Sequence, residues 1–436
     1  MKIEPRLPQL PSLGELLEHP RVKGLVNRVN RSTLAQRAGG FLEEMRATLA
    51  ERTGRGELPS LTHLAERLAR RLLGEPAAAG PVINATGLLL GDPQLVPPLP
   101  EAALHAMVQT AGEFHRRAPA ALRATERALC ELAGGEAVCL TSSFEGAVML
   151  AMAATAGGRD AAVGGAEADG PLDWQWLAAR AGAVLRLGSG AGSGPGSGVV
   201  LRAPDAVDAP LDGLLQSRSP GAPLIDVAGI AGTLNPRDFG FDDVATVGER
   251  LAAGAEAVII DGAGLLCGPR CGIVLGARAV VEPLAGSPLA ALVSVEPGTL
   301  AALEAVLRLY RDESAPVVYQ APLWQLLSAP LANLEQRARR LARLVAEAPG
   351  VASAEARAGR SPWRQSGARS WDGPTWTIEV TPRSGSGAAL AHRLARGPYP
   401  ILARVSAAAV ELDLRGVFPR WDQQLVGALG AASGDE

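Results

Sequence analysis

Apolar positions along the chain follow three successive patterns. Over about residues 10–78 they recur at helical spacing among Arg and Glu: Leu13, Leu16 and Leu17, then Leu34, Phe41, Leu42 and Met45, then Leu61, Leu64, Leu68 and Leu72. A three-to-four-residue repeat gives each helix one apolar face. Gly39-Gly40, Thr53-Gly54-Arg55-Gly56 and Pro76 punctuate the segment. A small helical domain over 1–78 is predicted.

From about 79 to 310 the pattern becomes short apolar runs alternating with helical stretches. Strands are expected at 137–140, 183–187, 199–202, 223–227, 257–260 and 272–275, with helices such as 144–154 and 245–253 between them. Continuous apolar runs suit strands covered on both faces, and their alternation with helices predicts an α/β domain on a mostly parallel sheet. From 311 to 436 come a charged helix around 331–346, an alternating strand at 376–380, a helix at 388–394 and a strand near 410–414. Those signals predict a smaller α+β domain.

The run from Gly188 to Gly198 is Gly/Ser-rich and follows a predicted strand. A phosphate cradle would need a helix opening on those glycines, whereas the strand-like Val199-Val200-Leu201 follows. The run reads as a flexible linker.

Composition narrows the classes. The chain has 436 residues, 47% of them apolar and 20% charged, with a net charge of -3. That supports a large core and argues against a generally basic nucleic-acid binder, while leaving room for a local RNA-binding patch. The opening MKIEPRLPQLPSLGELL carries prolines where a signal peptide would be apolar, and no run reaches the roughly 18 apolar residues of a membrane span. A cytoplasmic protein without membrane attachment is expected. Cys130, Cys139, Cys267 and Cys271 form no disulfide framework, and the last two flank Gly-Pro-Arg, a poor metal spacing. They read as buried thiols, with no metal site. Lysine occurs only at Lys2 and Lys23.

Several segments together resemble the bacterial selenocysteine synthase family, the L-seryl-tRNA(Sec) selenium transferases. Ile83-Asn84-Ala85-Thr86-Gly87 is similar to the family's INATG element. Glu126, Cys130, Leu132, Gly134 and Glu136 fit the helix and turn that follow, and Ala147-Val148-Met149-Leu150-Ala151 fits a helix behind the cofactor loop. Leu265-Leu266-Cys267-Gly268-Pro269-Arg270-Cys271-Gly272 stands where the family has LLGGPQAG. Thr299-Leu300-Ala301-Ala302-Leu303-Glu304-Ala305 with Leu307-Arg308-Leu309-Tyr310, then Ala403-Arg404-Val405 and Leu412-Asp413-Leu414-Arg415, continue the match. Leu10-Pro11-Ser12 and the helices after it resemble the family's tRNA-binding domain.

The resemblance implies a fold-type-I pyridoxal-phosphate (PLP) transferase architecture, PLP as cofactor, a homo-oligomer (a dimer or a ring of dimers) and tRNA as a partner through the N-terminal domain. The family reaction replaces the serine hydroxyl of seryl-tRNA(Sec) with selenium from selenophosphate, through an imine first held by a lysine. Asp226 stands where the family has the aspartate under the pyridinium nitrogen; a turn-capping or helix-facing carboxylate is the other reading. Ser142 and Ser143 precede the predicted helix at Phe144, where they offer hydroxyls and amides to a phosphate or simply cap the helix.

Departures fall on the chemistry. The family's SGDKLLGGP is Asp261-Gly262-Ala263-Gly264-Leu265-Leu266-Cys267-Gly268-Pro269 here, which puts Gly264 at the cofactor lysine. HTNLGRAPL becomes Gly91-Asp92-Pro93-Gln94-Leu95-Val96-Pro97-Pro98-Leu99, and an RGSR-like segment becomes Ala118-Pro119-Ala120-Ala121, near Arg116, Arg117 and Arg123. Only a loose counterpart of the family's ELVEIGG stretch is found, around 167–174. No catalytic residue is assigned. Three functions follow: a catalytically degenerate homologue acting as scaffold or regulator, an active selenium or amino-acyl transferase that holds PLP non-covalently, or an enzyme using unrelated chemistry in the same cleft.

Overall fold

The computed structural model describes residues 11–23, 31–51, 61, 64–65, 68, 80–112, 114, 119–166, 170–188, 197–206, 210–312, 314–397, 399–406 and 408–431. Leu10, residues 53–56, Leu72, Pro76, Arg116, Arg117, Ala118, the 167–169 part of the ELVEIGG-like stretch and residues 189–196 of the Gly/Ser run lie outside them. The chain divides into two compact units, Met1–Pro81 and Val82–Glu436.

In the first unit Ser12 opens the Leu13–Glu18 helix with a reciprocal cap. Its Oγ accepts from the Glu15 amide at 3.2 Å, while the Glu15 carboxylate accepts from the Ser12 amide at 2.8 Å. The Pro20–Lys23 and Arg31–Glu51 helices follow, and Leu16, Leu34, Phe41, Leu42, Leu64 and Leu68 meet in one core. The helical spacing of these leucines is what the sequence predicts.

In the second unit the strands are β1 (Ile83–Ala85), β2 (Ala137–Thr141), β3 (Asp160–Gly164), β4 (Val184–Leu187), β5 (Ser197–Arg202) and β6 (Leu224–Gly229). They continue with β7 (Ala257–Asp261), β8 (Gly272–Gly276), β9 (Val351–Ser366), β10 (Arg369–Pro382), β11 (Ile401–Val405) and β12 (Val410–Asp413). Seven form a sheet in the order β2-β8-β7-β6-β5-β3-β4. Strand β8 runs antiparallel to β2 and β7, and the remaining pairings are parallel. Helices cover both faces: Phe144–Ala156 and Trp174–Ala181 pack on one side, Val247–Ala252, Pro297–Arg311 and Pro322–Leu327 on the other. That explains the continuous apolar runs of β5 to β8. Burying each Leu, Ile or Val of these strands contributes about 1.5–3 kcal/mol over leaving it in water.

Strand β3 is not predicted from the sequence. Asp160-Ala161-Ala162-Val163-Gly164 carries one branched apolar residue, yet Ala161, Ala162 and Val163 are fully buried. The end of the Gly/Ser run also differs from the expected linker: Ser197 and Gly198 begin β5. A Cβ on Gly198 would lie 2.5 Å from the Ala156 carbonyl oxygen, so glycine there lets the strand approach the helix end.

The second sheet has the order β1-β11-β12-β10-β9 and is antiparallel except for β1 beside β11. The Leu331–Ala346 helix forms as expected and lays Leu334, Ala338, Leu341, Ala342 and Val345 on it. Strand β10 is far longer than the expected 376–380 strand. With β9 it makes a hairpin turning at Gly367, whose φ of +57° suits a tight two-residue turn. Among the described residues, no helix is long and apolar enough to cross a membrane.

Candidate functional site

The C-terminal ends of β5, β6 and β7 open onto one cleft of about 200 Å³. Strand ends in an open α/β sheet present their loops together, which makes this the place for chemistry. Phe144 and Glu145 form one wall, Pro204 and Asp205 follow β5, Gly229 ends β6 with Ile230 after it, and Asp261 ends β7 with Ala263, Gly264 and Arg270 beyond it. The 90–97 segment, with Gln365 and Ser366, closes the mouth.

The loop after β7 is held tightly. Asp261 Oδ1 accepts from the Ala263 amide at 3.0 Å, and its Oδ2 lies 3.8 Å from Arg270 Nε. Burial pushes the Asp261 carboxyl above the usual range, against the pull of the Ala263 amide and Arg270, and the nearby Glu145 charge adds to the rise. Gly264 donates to the Asp261 carbonyl at 3.0 Å, and Leu265 donates to the Ile230 carbonyl at 2.8 Å. A Cβ at Gly264 would stand 2.6 Å from the Ile230 carbonyl oxygen and 2.7 Å from its Cα. The space where a side chain would start is filled by the backbone of the neighbouring turn.

Asp226 sits on β6 with no solvent exposure. Arg250 Nη1 donates to its Oδ2 at 2.7 Å, and Arg202, beside it in register on β5, donates to Oδ1 at 3.3 Å. Arg250 also donates to the Ala245 carbonyl and Arg202 to the Ala206 carbonyl. Ser143 is the N-cap of the Phe144–Ala156 helix, and its Oγ accepts from the Gly146 amide at 3.0 Å. Ser142 is exposed, and its amide donates to the Val293 carbonyl. The described cleft lining includes Gly264 but not Asp226, Ser142 or Ser143.

Motifs far apart in sequence meet as packing devices. Asn84 of INATG donates to the Leu88 carbonyl and accepts from the Thr86 amide and hydroxyl, which ties the turn to itself. Arg404 donates to the Thr86 carbonyl at 3.0 Å. Asp413 accepts from Thr375 Oγ1 and from the Arg415 amide, while the Arg415 guanidinium donates to the Leu326, Leu327, Ala329 and Pro374 carbonyls.

Sequence reasoning misses three contributors: Arg202, Arg250 and Arg364. Arg364 is buried on β9, where it donates to Asp242 at 2.9 Å and to Asp205 at 2.8 Å and lies 3.5 Å from the Trp371 ring centroid. The available signal is a single arginine ending an apolar run, as in Val199-Val200-Leu201-Arg202. Among the cysteines, Cys139, Cys267 and Cys271 are buried and Cys130 is half-buried. No group of three or more His, Cys, Asp or Glu is arranged to hold a metal ion among the described residues.

Known proteins place this architecture. A family model described as L-seryl-tRNA selenium transferase matches residues 217–418. The L-seryl-tRNA(Sec) selenium transferase of Moorella thermoacetica is 28% identical over 472 residues, covering 99% of this chain and 98% of that protein. The protein of the same name from Methylocella silvestris is 30% identical, covering 94% of each chain. Among solved structures, a D-glucosaminate-6-phosphate ammonia-lyase superposes with a TM-score of 0.58 at 16% identity, over 84% of this chain and 97% of that one. This likeness bears on the fold alone and agrees with the fold-type-I arrangement expected from the sequence. With 30% identity along nearly its whole length to one such enzyme, the chain belongs to the L-seryl-tRNA(Sec) selenium transferase family.

Proposed function

We propose that this chain is a family member that has lost the transfer chemistry and serves as a scaffold or regulator. Gly264 carries the reading. The resemblance places the PLP-bearing lysine there, glycine supplies no amine, and no lysine follows Lys23. The Ile230 backbone occupies the space that any side chain at this position would need.

The other residues do not fit the cofactor either. Both Asp226 carboxylate oxygens already accept from arginines, while the Ser143 oxygen caps its own helix and leaves only its O–H to donate. The described cleft lining carries Asp92, Glu145, Asp205 and Asp261 against Arg270, a poor lining for a phosphate dianion. We derive no step through PLP. The alternative, an active transferase holding PLP non-covalently, requires an Asp226 carboxylate free to meet the ring nitrogen.

In this reading the protein works as a homo-oligomer in the cytoplasm, and the N-terminal helical unit is the part that would meet tRNA. Purified protein given seryl-tRNA(Sec), PLP and selenophosphate is expected to make no selenocysteyl-tRNA. Measurable turnover would overturn the proposal.

A further inference from the structure

The buried ion pairs around Asp226 have a role that the loss of the lysine does not by itself require. Asp226 lies in the centre of the seven-stranded sheet with no exposure, and a lone carboxylate there would be costly to desolvate. In an enzyme of this architecture, a bound cofactor supplies the compensating charge. Here two arginines from opposite sides in sequence supply it: Arg202 on the adjacent strand β5 and Arg250 on the Val247–Ala252 helix. Each arginine is anchored by a backbone carbonyl of its own segment, Ala206 for Arg202 and Ala245 for Arg250. The cationic groups are therefore held in place and do not simply lean on the carboxylate.

We propose that Arg202 and Arg250 form a built-in plug that takes the place on Asp226 of a pyridinium nitrogen, so that the fold is completed without any bound cofactor. This rests on the reading of the site as catalytically retired and goes one step deeper. A chain that had merely lost its lysine would keep an open cradle and a weak affinity for the cofactor ring; a plugged chain has neither. The Asp226 charge then serves folding stability instead of catalysis.

The test uses the full-length protein and pyridoxine 5′-phosphate, which has the ring and phosphate of PLP but no aldehyde to react with Lys2, Lys23 or the amino terminus. Equilibrium dialysis of wild type against Asp226→Asn is expected to show either no saturable binding or binding indifferent to the substitution. Saturable binding that Asp226→Asn abolishes would overturn the plug, whether or not the protein turns over seryl-tRNA(Sec). Turnover alone would overturn the functional reading, so the two failures are distinguishable. In parallel, Asp226→Asn and Arg250→Met should each lower the ligand-free thermal midpoint by roughly 4–7 °C, as removing one partner of a buried pair in a unit this large predicts. The double variant should fall no further than the worse single variant; fully additive losses would show that the two groups do not act together and would also overturn the proposal. Should Asp226→Asn fail to fold, the wild type decides through the ring alone: saturable binding of unphosphorylated pyridoxine overturns the plug, and its absence supports it.

Discussion

Tyr310 Oη lies 3.1 Å from the carbonyl oxygen of Leu265 and 3.1 Å from that of Leu266, so one phenol is shared between two carbonyls just past Gly264. The Trp324 indole adds a donor to the Leu265 carbonyl at 3.0 Å. Burial raises the Tyr310 hydroxyl well above the usual phenol range and keeps it a donor in alkaline solution. The loop after β7 is thus clamped by a residue from the Pro297–Arg311 helix, in a segment that resembles the family. Tyr310→Phe removes one donor and leaves the indole, at a cost of about 1–2 kcal/mol. A urea melt should show a lower midpoint with an unchanged slope.

Gly264 gives a second expectation. Gly264→Ala adds only a methyl group, yet it must displace the Ile230 backbone, so a loss of about 1–3 kcal/mol is expected. Gly264→Lys should cost at least as much and should restore no selenium transfer. Denaturant titration reads the first effect and conversion of seryl-tRNA(Sec) the second.

The cysteines make a pH-dependent case. Burial pushes the Cys271 thiol up to about 12 and the Cys139 thiol to about 11, and Cys267 is raised as well. The thiolate is the reacting form, so iodoacetamide at pH 8 should label half-buried Cys130 first and the other three only on unfolding. The native state keeps these protons after the unfolded chain has released them near pH 8.5. Stability present below that pH should therefore fall as pH rises through the folded values, and thermal midpoints between pH 8 and 11 would show the decline.

Assembly is the fourth expectation. Val108 is 69% exposed and Tyr319 71%, with half-exposed Leu104 on the same helix as Val108. Such apolar surface suits a symmetric contact better than water. Light scattering coupled to size exclusion at micromolar concentration should give at least twice the chain mass. A mass near 44.9 kDa would remove the main support for a scaffold role.

Legibility followed the range of the forces involved. The Leu331–Ala346 helix was readable because its apolar stripe is local, and β5 to β8 because burial on both faces writes continuous apolar runs. Strand β9 was not, since Val351-Ala352-Ser353-Ala354-Glu355-Ala356-Arg357 lacks large alternating apolar residues and owes its conformation to pairing with β10. At the site, Gly264 could be found by motif register. Its wall could not, because Ile230 comes from a different turn; nor could the partners of Asp226, which lie 24 residues away on either side.

The parallel pairing of β1 with β11 also sets a timetable for synthesis. Ile83 finds its partner Ile401 only after the chain has been made through residue 401. At 5–20 residues per second, the INATG turn waits roughly 15–60 s on the ribosome before Arg404 arrives to bind the Thr86 carbonyl. During that interval β1 is an unpaired apolar edge, open to chaperones or to wrong strands. Strand β11, made long after β1, therefore licenses the first strand of the second unit, and a premature stop after β10 would leave it without a neighbour.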